Sequence, residues 1–150
     1  PGNGDNGTWT WMSGSDLFDQ RGIYGTKDVP SQDNVPCARQ ESFAWTDDNG
    51  TMWLFGGYGL DKNANWYYLN DLWCYEPDNN TWTWVSGSDK KGQSGVYGTK
   101  GIPDAANVPG GRFGAVSWTD STDNLWLLGG WEGIVTPLND LWRYDVDNDT

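Results

Sequence analysis

Leu69-Asn70-Asp71-Leu72-Trp73-Cys74-Tyr75-Glu76 runs into Pro77-Asp78-Asn79-Asn80 and then into Thr81-Trp82-Thr83-Trp84. Two runs rich in aromatic and β-branched residues thus flank a four-residue turn of Pro, Asp and Asn. That pattern predicts an antiparallel hairpin. Just upstream, Thr51 to Phe55 is another short apolar run, and it ends in Gly56-Gly57.

The same elements recur. Trp9-Thr10-Trp11 returns as Trp82-Thr83-Trp84, an offset of 73. That offset also carries Tyr24-Gly25-Thr26-Lys27 onto Tyr97-Gly98-Thr99-Lys100, Arg39 onto Arg112, and Trp45-Thr46-Asp47 onto Trp118-Thr119-Asp120. From the pair 9/82 to the pair 57/130, 25 of 49 positions are identical without a gap. Leu69 to Trp73 returns as Leu138 to Trp142 at an offset of 69, so the second unit is four residues shorter. One unit of about 70 residues is used twice, which is the signature of a repeat architecture.

Each unit holds four strand candidates: residues 39–46 and 112–119, 51–55 and 124–128, 70–75 and 139–144, 81–86 and, at the start of the chain, 8–13. No segment reads as a helix. Gly56-Gly57 and Gly129-Gly130 are expected to end the second strands. Asp71 and Asp140 are expected to bond turns and backbone. Trp9, Trp45, Trp73, Trp82, Trp118 and Trp142 are expected to pack in the core.

Strands ending in Gly-Gly, then Asn-Asp-Leu-Trp with a Tyr two residues on, then Thr-Trp-Thr-Trp, resemble the kelch repeat. The long connections are similar to the loop-rich kelch units of some bacterial secreted or surface proteins. The resemblance implies an all-β fold of kelch-type β-propeller blades. There would be two four-stranded antiparallel blades of about 70 residues, the last lacking its own fourth strand. On that reading residues 1–150 are one propeller segment. Residues 8–13 are strand four of a preceding or neighbouring blade, and 37–86 hold the strands of blade 1. Residues 110–150 hold strands one to three of blade 2, and 14–36 and 87–109 are long inter-blade loops.

Composition narrows the function. The net charge is -12, which disfavours nucleic acid and anionic membrane surfaces as partners. No apolar run is long enough to span a bilayer as a helix. There is no histidine, which removes the commonest general base and metal ligand. The oxidases with a copper-radical site that some kelch proteins resemble need histidine ligands. We therefore expect no catalytic residue, no cofactor and no metal site. Asp61-Lys62-Asn63-Ala64-Asn65 has oxygen donors at alternate positions but lacks the rest of a calcium loop. Two cysteines, Cys37 and Cys74, make no disulfide framework.

In a meander the one-to-two and three-to-four turns share one end of the sheet, and the other connections share the opposite end. Here the first pair is short and the second long: residues 58–69, 131–138, 14–38 and 87–111. The long-loop end is the expected binding face. Its candidate ligand-binding residues are Tyr24, Lys27, Tyr58, Trp66, Tyr67, Tyr97, Lys100 and Trp131. The competing reading is that the Tyr-Gly-Thr-Lys loops tuck down as scaffold, because they repeat. Asn6, Asn49, Asn79 and Asn148 open Asn-x-Thr sequons in the short turns and are candidate N-glycosylation sites.

The expected function is a non-catalytic binding or structural module that presents the long-loop face to a glycan or protein ligand, outside the cell or on its surface. The alternatives are a fibre-forming subunit and a carbohydrate-active enzyme using carboxylates. The expected partners also include the protein itself. The spare strand at 8–13 and the missing fourth strand of the second unit are reconciled in one of two ways. Either further blades of a longer chain complete the propeller, or copies associate head-to-tail as a ring of three or four or as a filament.

Overall fold

The computed structural model describes residues 7–146; the sequons at Asn6 and Asn148 lie outside them. Eight strands follow in order: β1 (Arg39–Gln40), β2 (Phe43–Thr46), β3 (Met52–Leu60), β4 (Trp66–Glu76), β5 (Thr81–Ser86), β6 (Val116–Thr119), β7 (Leu125–Trp131) and β8 (Pro137–Tyr144). The described residues contain no helix. The fold is all-β, in two antiparallel sheets. One is a meander in which β1 and β2 both pair with β3, β3 with β4, and β4 with β5. The other runs β6-β7-β8.

The turns form for a shared local reason. Asp47 accepts hydrogen bonds from the amides of Asn49 and Thr51 on one carboxylate oxygen and from the Trp53 indole on the other. Asp120 holds the amides of Thr122 and Asn124 and the Trp126 indole in the same way. A carboxylate thus closes each one-to-two turn and pins the first Trp of the next strand.

The glycine pairs correct the sequence expectation. β3 does not stop at Gly56-Gly57 but runs on to Leu60, with a bulge between Phe55 and Gly57. β7 bulges likewise between Leu128 and Gly130. The pair sits at positive φ, 60° and 95° in β3, and a Cβ on Gly57 would lie 2.4 Å from the Ser42 hydroxyl. Glycine is needed there because the strand twists past its neighbour at close approach. Consequently 58–69 and 131–138 are not long loops. They are the upper ends of hairpins whose turns occupy only 61–65 and 132–136. Asp61 makes the first of these turns, accepting from the amides of Asn63 and Asn65 and from the Asn65 side chain.

The main core lies between the sheets. Phe43, Trp45, Trp53, Phe55 and Leu72 of the first meet Leu125 and Leu127 of the second. The Trp45 indole donates to the Trp126 carbonyl at 3.2 Å, and Trp53 packs on Tyr144 with ring centroids 5.6 Å apart. Arg112 joins the sheets by its backbone: its amide donates to Leu69 and its carbonyl accepts from Gly57. Trp9 and Trp118 depart from expectation: both are exposed, and Trp118 is stacked flat on Trp126. Cys37 is buried beside Leu60 and Leu69, Cys74 is half-buried on β4, and both are free thiols.

Residues 8–13 form no strand with any described residue. The loop that follows them does not stay at one end of the sheet. It runs down the outer edge of β5, where Ser31 bridges Trp82, the Asp28 amide donates to the Trp84 carbonyl, and the Gln32 side chain reaches the Asn79 carbonyl.

Candidate functional site

Four side chains make the polar centre of the first unit. Arg39 grips both oxygens of Asp71, at 2.8 and 2.7 Å. The Tyr24 hydroxyl and the Trp73 indole each donate to the same carboxylate at 2.7 Å. Arg39 also donates to the Gly56 carbonyl, which ties the bulge to the ion pair. The second unit repeats the set. Arg112 grips Asp140 at 2.6 and 2.8 Å and donates to the Gly129 carbonyl, while Tyr97 and Trp142 donate to Asp140.

This arrangement overturns the expectation of turn bonding at Asp71 and Asp140. Burial would raise the Asp71 carboxyl, but the Arg39 charge and the three donors outweigh it and hold it below the usual range. Asp140 is likewise opposed by burial and held at about 2 by Arg112, Trp142 and Tyr97. Burial and the adjacent Asp71 charge push the Tyr24 hydroxyl far up, so it stays a neutral donor. A carboxylate that accepts four hydrogen bonds, two of them from a paired Arg, is a structural anchor.

The eight candidate ligand residues separate into two groups. Tyr24 is buried in the anchor and presents nothing to a ligand. Lys27 stands over the Trp84 ring at 5.8 Å on the outer edge of the first sheet. Tyr97 and Lys100 lie in the equivalent loop of the second unit. There they help line a cavity of about 1100 Å³ between Val85 and the β8 residues Leu141 to Arg143.

Tyr58, Trp66 and Tyr67 lie elsewhere, at the upper end of the β3–β4 hairpin. Tyr58 pairs directly with Tyr68, and Trp66 stacks on Tyr58 with centroids 5.5 Å apart. Tyr68 stacks in turn on Phe113 at 5.3 Å, and Lys91 sits over the Tyr67 ring. Trp66 and Tyr67 are exposed. Trp131 ends β7, and the neighbouring turn leaves Ile134 and Val135 more than four-fifths exposed. Sequence reasoning missed these two aliphatic residues. The signal was present, as an apolar pair in a turn that needs none.

Asn49 and Asn79 are exposed in their turns. Among the described residues, no cluster of three or more metal-ligating side chains occurs, and no helix is long and apolar enough to cross a membrane.

No protein-family profile matches the chain. A stretch of 117 residues, 78% of this chain, is 32% identical to the dynein alpha chain of the flagellar outer arm of Chlamydomonas reinhardtii. The match spans only 2% of that protein's length.

Proposed function

We propose that the two sheets are consecutive blades of a kelch-type β-propeller, and that the chain is a non-catalytic module whose hairpin end binds a protein ligand. The blade reading is supported by the antiparallel order within each sheet, the face-to-face core and the repeated Arg-Asp-Tyr-Trp anchor. The similarity to a 2% stretch of a much larger dynein chain is in keeping with a unit that serves as one module of a long polypeptide.

The binding reading rests on one observation. Trp66, Tyr67, Ile134 and Val135 are exposed at hairpin ends, where the sheet has no need of apolar side chains. Rigid aromatics on a supported strand pair lose little entropy on binding, and exposed aliphatics favour a protein over a sugar. An extracellular or cell-surface setting and glycosylation at Asn49 and Asn79 are further parts of the proposal.

The test is a pair of arrays, one of peptides and one of glycans, probed with the labelled chain. Binding to peptides that is lost in Trp66→Ala/Tyr67→Ala and kept in Lys27→Ala is the expected result. Binding confined to glycans would move the ligand class. Binding indifferent to Trp66 and Tyr67 would remove the hairpin end from the function.

A further inference from the structure

The two units differ at their outer edges: β4 is covered on its outer side by β5, whereas no described strand lies beyond β8. The effect on a matched residue is large: Tyr24 is 6% exposed and its counterpart Tyr97 is 53%. What covers the first unit is known. Trp84 stands edge-on to Tyr24 at 5.2 Å, Trp82 stands edge-on to Trp73, and Lys27 lies over Trp84.

The loop beside β5 shows the same contrast. Asn34 donates from its side chain to the carbonyls of Val29 and Trp82. Asn107, its counterpart, donates only to that of Ile102. Ser31 bridges Trp82, but no such bridge is made by Asp104, its counterpart. Asn70 is buried and caps the exit of β5 by accepting from the Ser88 amide, while Asn139 is exposed. Tyr97, Lys100, Asn107, Asn139, Leu141 and Arg143 are all walls of the 1100 Å³ cavity.

A segment with the chemistry of β5 lies exposed elsewhere in the chain. Residues 8–16 match residues 81–89 at eight of nine positions, Met12 replacing Val85. The segment also keeps the local geometry of β5. The Trp11 indole donates to the Ser13 carbonyl at 2.8 Å, as the Trp84 indole does to Ser86. Gly14 has φ 85° and Gly87 has φ 76°. Around Gly87 that conformation lets the chain pass against the Asn70 backbone; around Gly14 nothing lies within 4 Å of where a Cβ would be. Trp9, Trp11 and Met12 are all exposed.

We propose that the outer edge of β8, with the 97–109 loop, is a docking site for residues 8–13 of a second copy of this chain. The β4–β5 register gives the seating: Ser13 opposite Leu141, Trp11 opposite Trp142, and Thr10 opposite Arg143. Trp11 then covers Tyr97 and receives Lys100 on its ring. The Trp9 carbonyl accepts from the Asn107 side chain, and the Trp11 carbonyl accepts from the Gly101 amide. The contact is heterologous, so it propagates around a ring or along a filament. It rests on the equivalence of the two units as blades and names the partner of the outer edge, not of the hairpin end.

Two measurements on the whole chain test it. The first is mass by light scattering over a wide concentration range. Concentration-dependent association is expected, and Trp9→Ala/Trp11→Ala is expected to weaken it by about thirtyfold or more. Both tryptophans are exposed in the single chain, so their loss leaves its fold intact. The second is a mixture of a Thr10→Cys chain with an Arg143→Cys chain under mild oxidation. A disulfide-linked pair should form in the mixture far more than with either variant alone or with the wild-type thiols. A mass that never changes, with no linked pair, would overturn the proposal. A monomeric chain that still binds a peptide of residues 8–16 would overturn the second-copy assignment and give the site to a strand further along a longer polypeptide. Either failure leaves the Trp66/Tyr67 array result standing, so the two readings fail separately.

Discussion

Arg39 and Asp71 form a two-bonded ion pair whose side chains are 6% and 0% exposed, between the bulge of one strand and the centre of the next. Removing one partner leaves a buried charge, which typically costs 3–5 kcal/mol. Asp71→Ala also leaves the Tyr24 hydroxyl and the Trp73 indole without their acceptor. A domain of this size is stable by only about 5–15 kcal/mol. Asp71→Ala is therefore expected to lower the urea midpoint severely or prevent folding. Asp140→Ala strands the buried Arg112 guanidinium in the same way, but it should cost less, because the Asp140 side chain is 15% exposed and its other donor Tyr97 is open to water. Equal losses at the two positions would show that burial does not set the cost.

Stability should fall on the acid side in a defined window. Asp140 titrates at about 2 when folded and near the ordinary Asp value of about 3.9 when unfolded. Asp71 is shifted the same way. For a depressed carboxyl, the stabilisation is complete above the unfolded pKa and is lost as pH falls through the folded one. Denaturant midpoints should thus be flat from about pH 5 to about pH 9 and decline between about pH 4 and 2. Tyr24 has the opposite sense, since its hydroxyl is raised. Its contribution is complete below the unfolded Tyr value of about 10 and is lost above it. Midpoints that keep rising below pH 4 would contradict both anchors.

Gly57→Ala should be far more costly than Gly50→Ala. Both glycines have positive φ, 95° and 86°. An added Cβ at Gly57 meets the Ser42 hydroxyl and the Gln40 carbonyl, at 2.4 and 2.7 Å, whereas one at Gly50 meets nothing within 4 Å. Gly50→Ala carries only the left-handed backbone penalty of about 1 kcal/mol. Gly57→Ala adds a clash with backbone and should exceed it by about 1–3 kcal/mol. Thermal melts of the two variants compare them directly.

The core between the sheets should couple them. Leu127, 4% exposed, packs against residues from both units. Leu127→Ala is expected to cost about 2–5 kcal/mol. It should lower a single transition recorded by far-UV and near-UV dichroism together. Two separated transitions would mean that the sheets fold independently.

Much of the architecture was legible from residue order. The Thr81–Ser86 strand falls where Thr-Trp-Thr-Trp after the Pro77-Asp78-Asn79-Asn80 turn places it, and the one-to-two turns are closed by Asp47 and Asp120. These are local effects, set by side chains that bond the backbone within four residues. The roles of the candidate site residues were less legible. Tyr24 and Tyr58 read alike in sequence, but one is an anchor and the other part of an aromatic stack.

The sequence by itself determined that a unit of about 70 residues occurs twice, that it is built of short strands, and that its turns lie where Asp, Asn and Gly cluster. Periodicity and turn chemistry are properties of neighbouring residues, so they survive in one dimension. Only the tertiary structure decided that Arg39 meets Asp71, that the glycine pairs bend strands instead of ending them, and that Tyr24 is covered while Tyr97 is not. Those outcomes depend on residues tens of positions apart. A buried charge must find its counter-charge wherever the fold places it, and a strand is covered only if another strand lies on its edge.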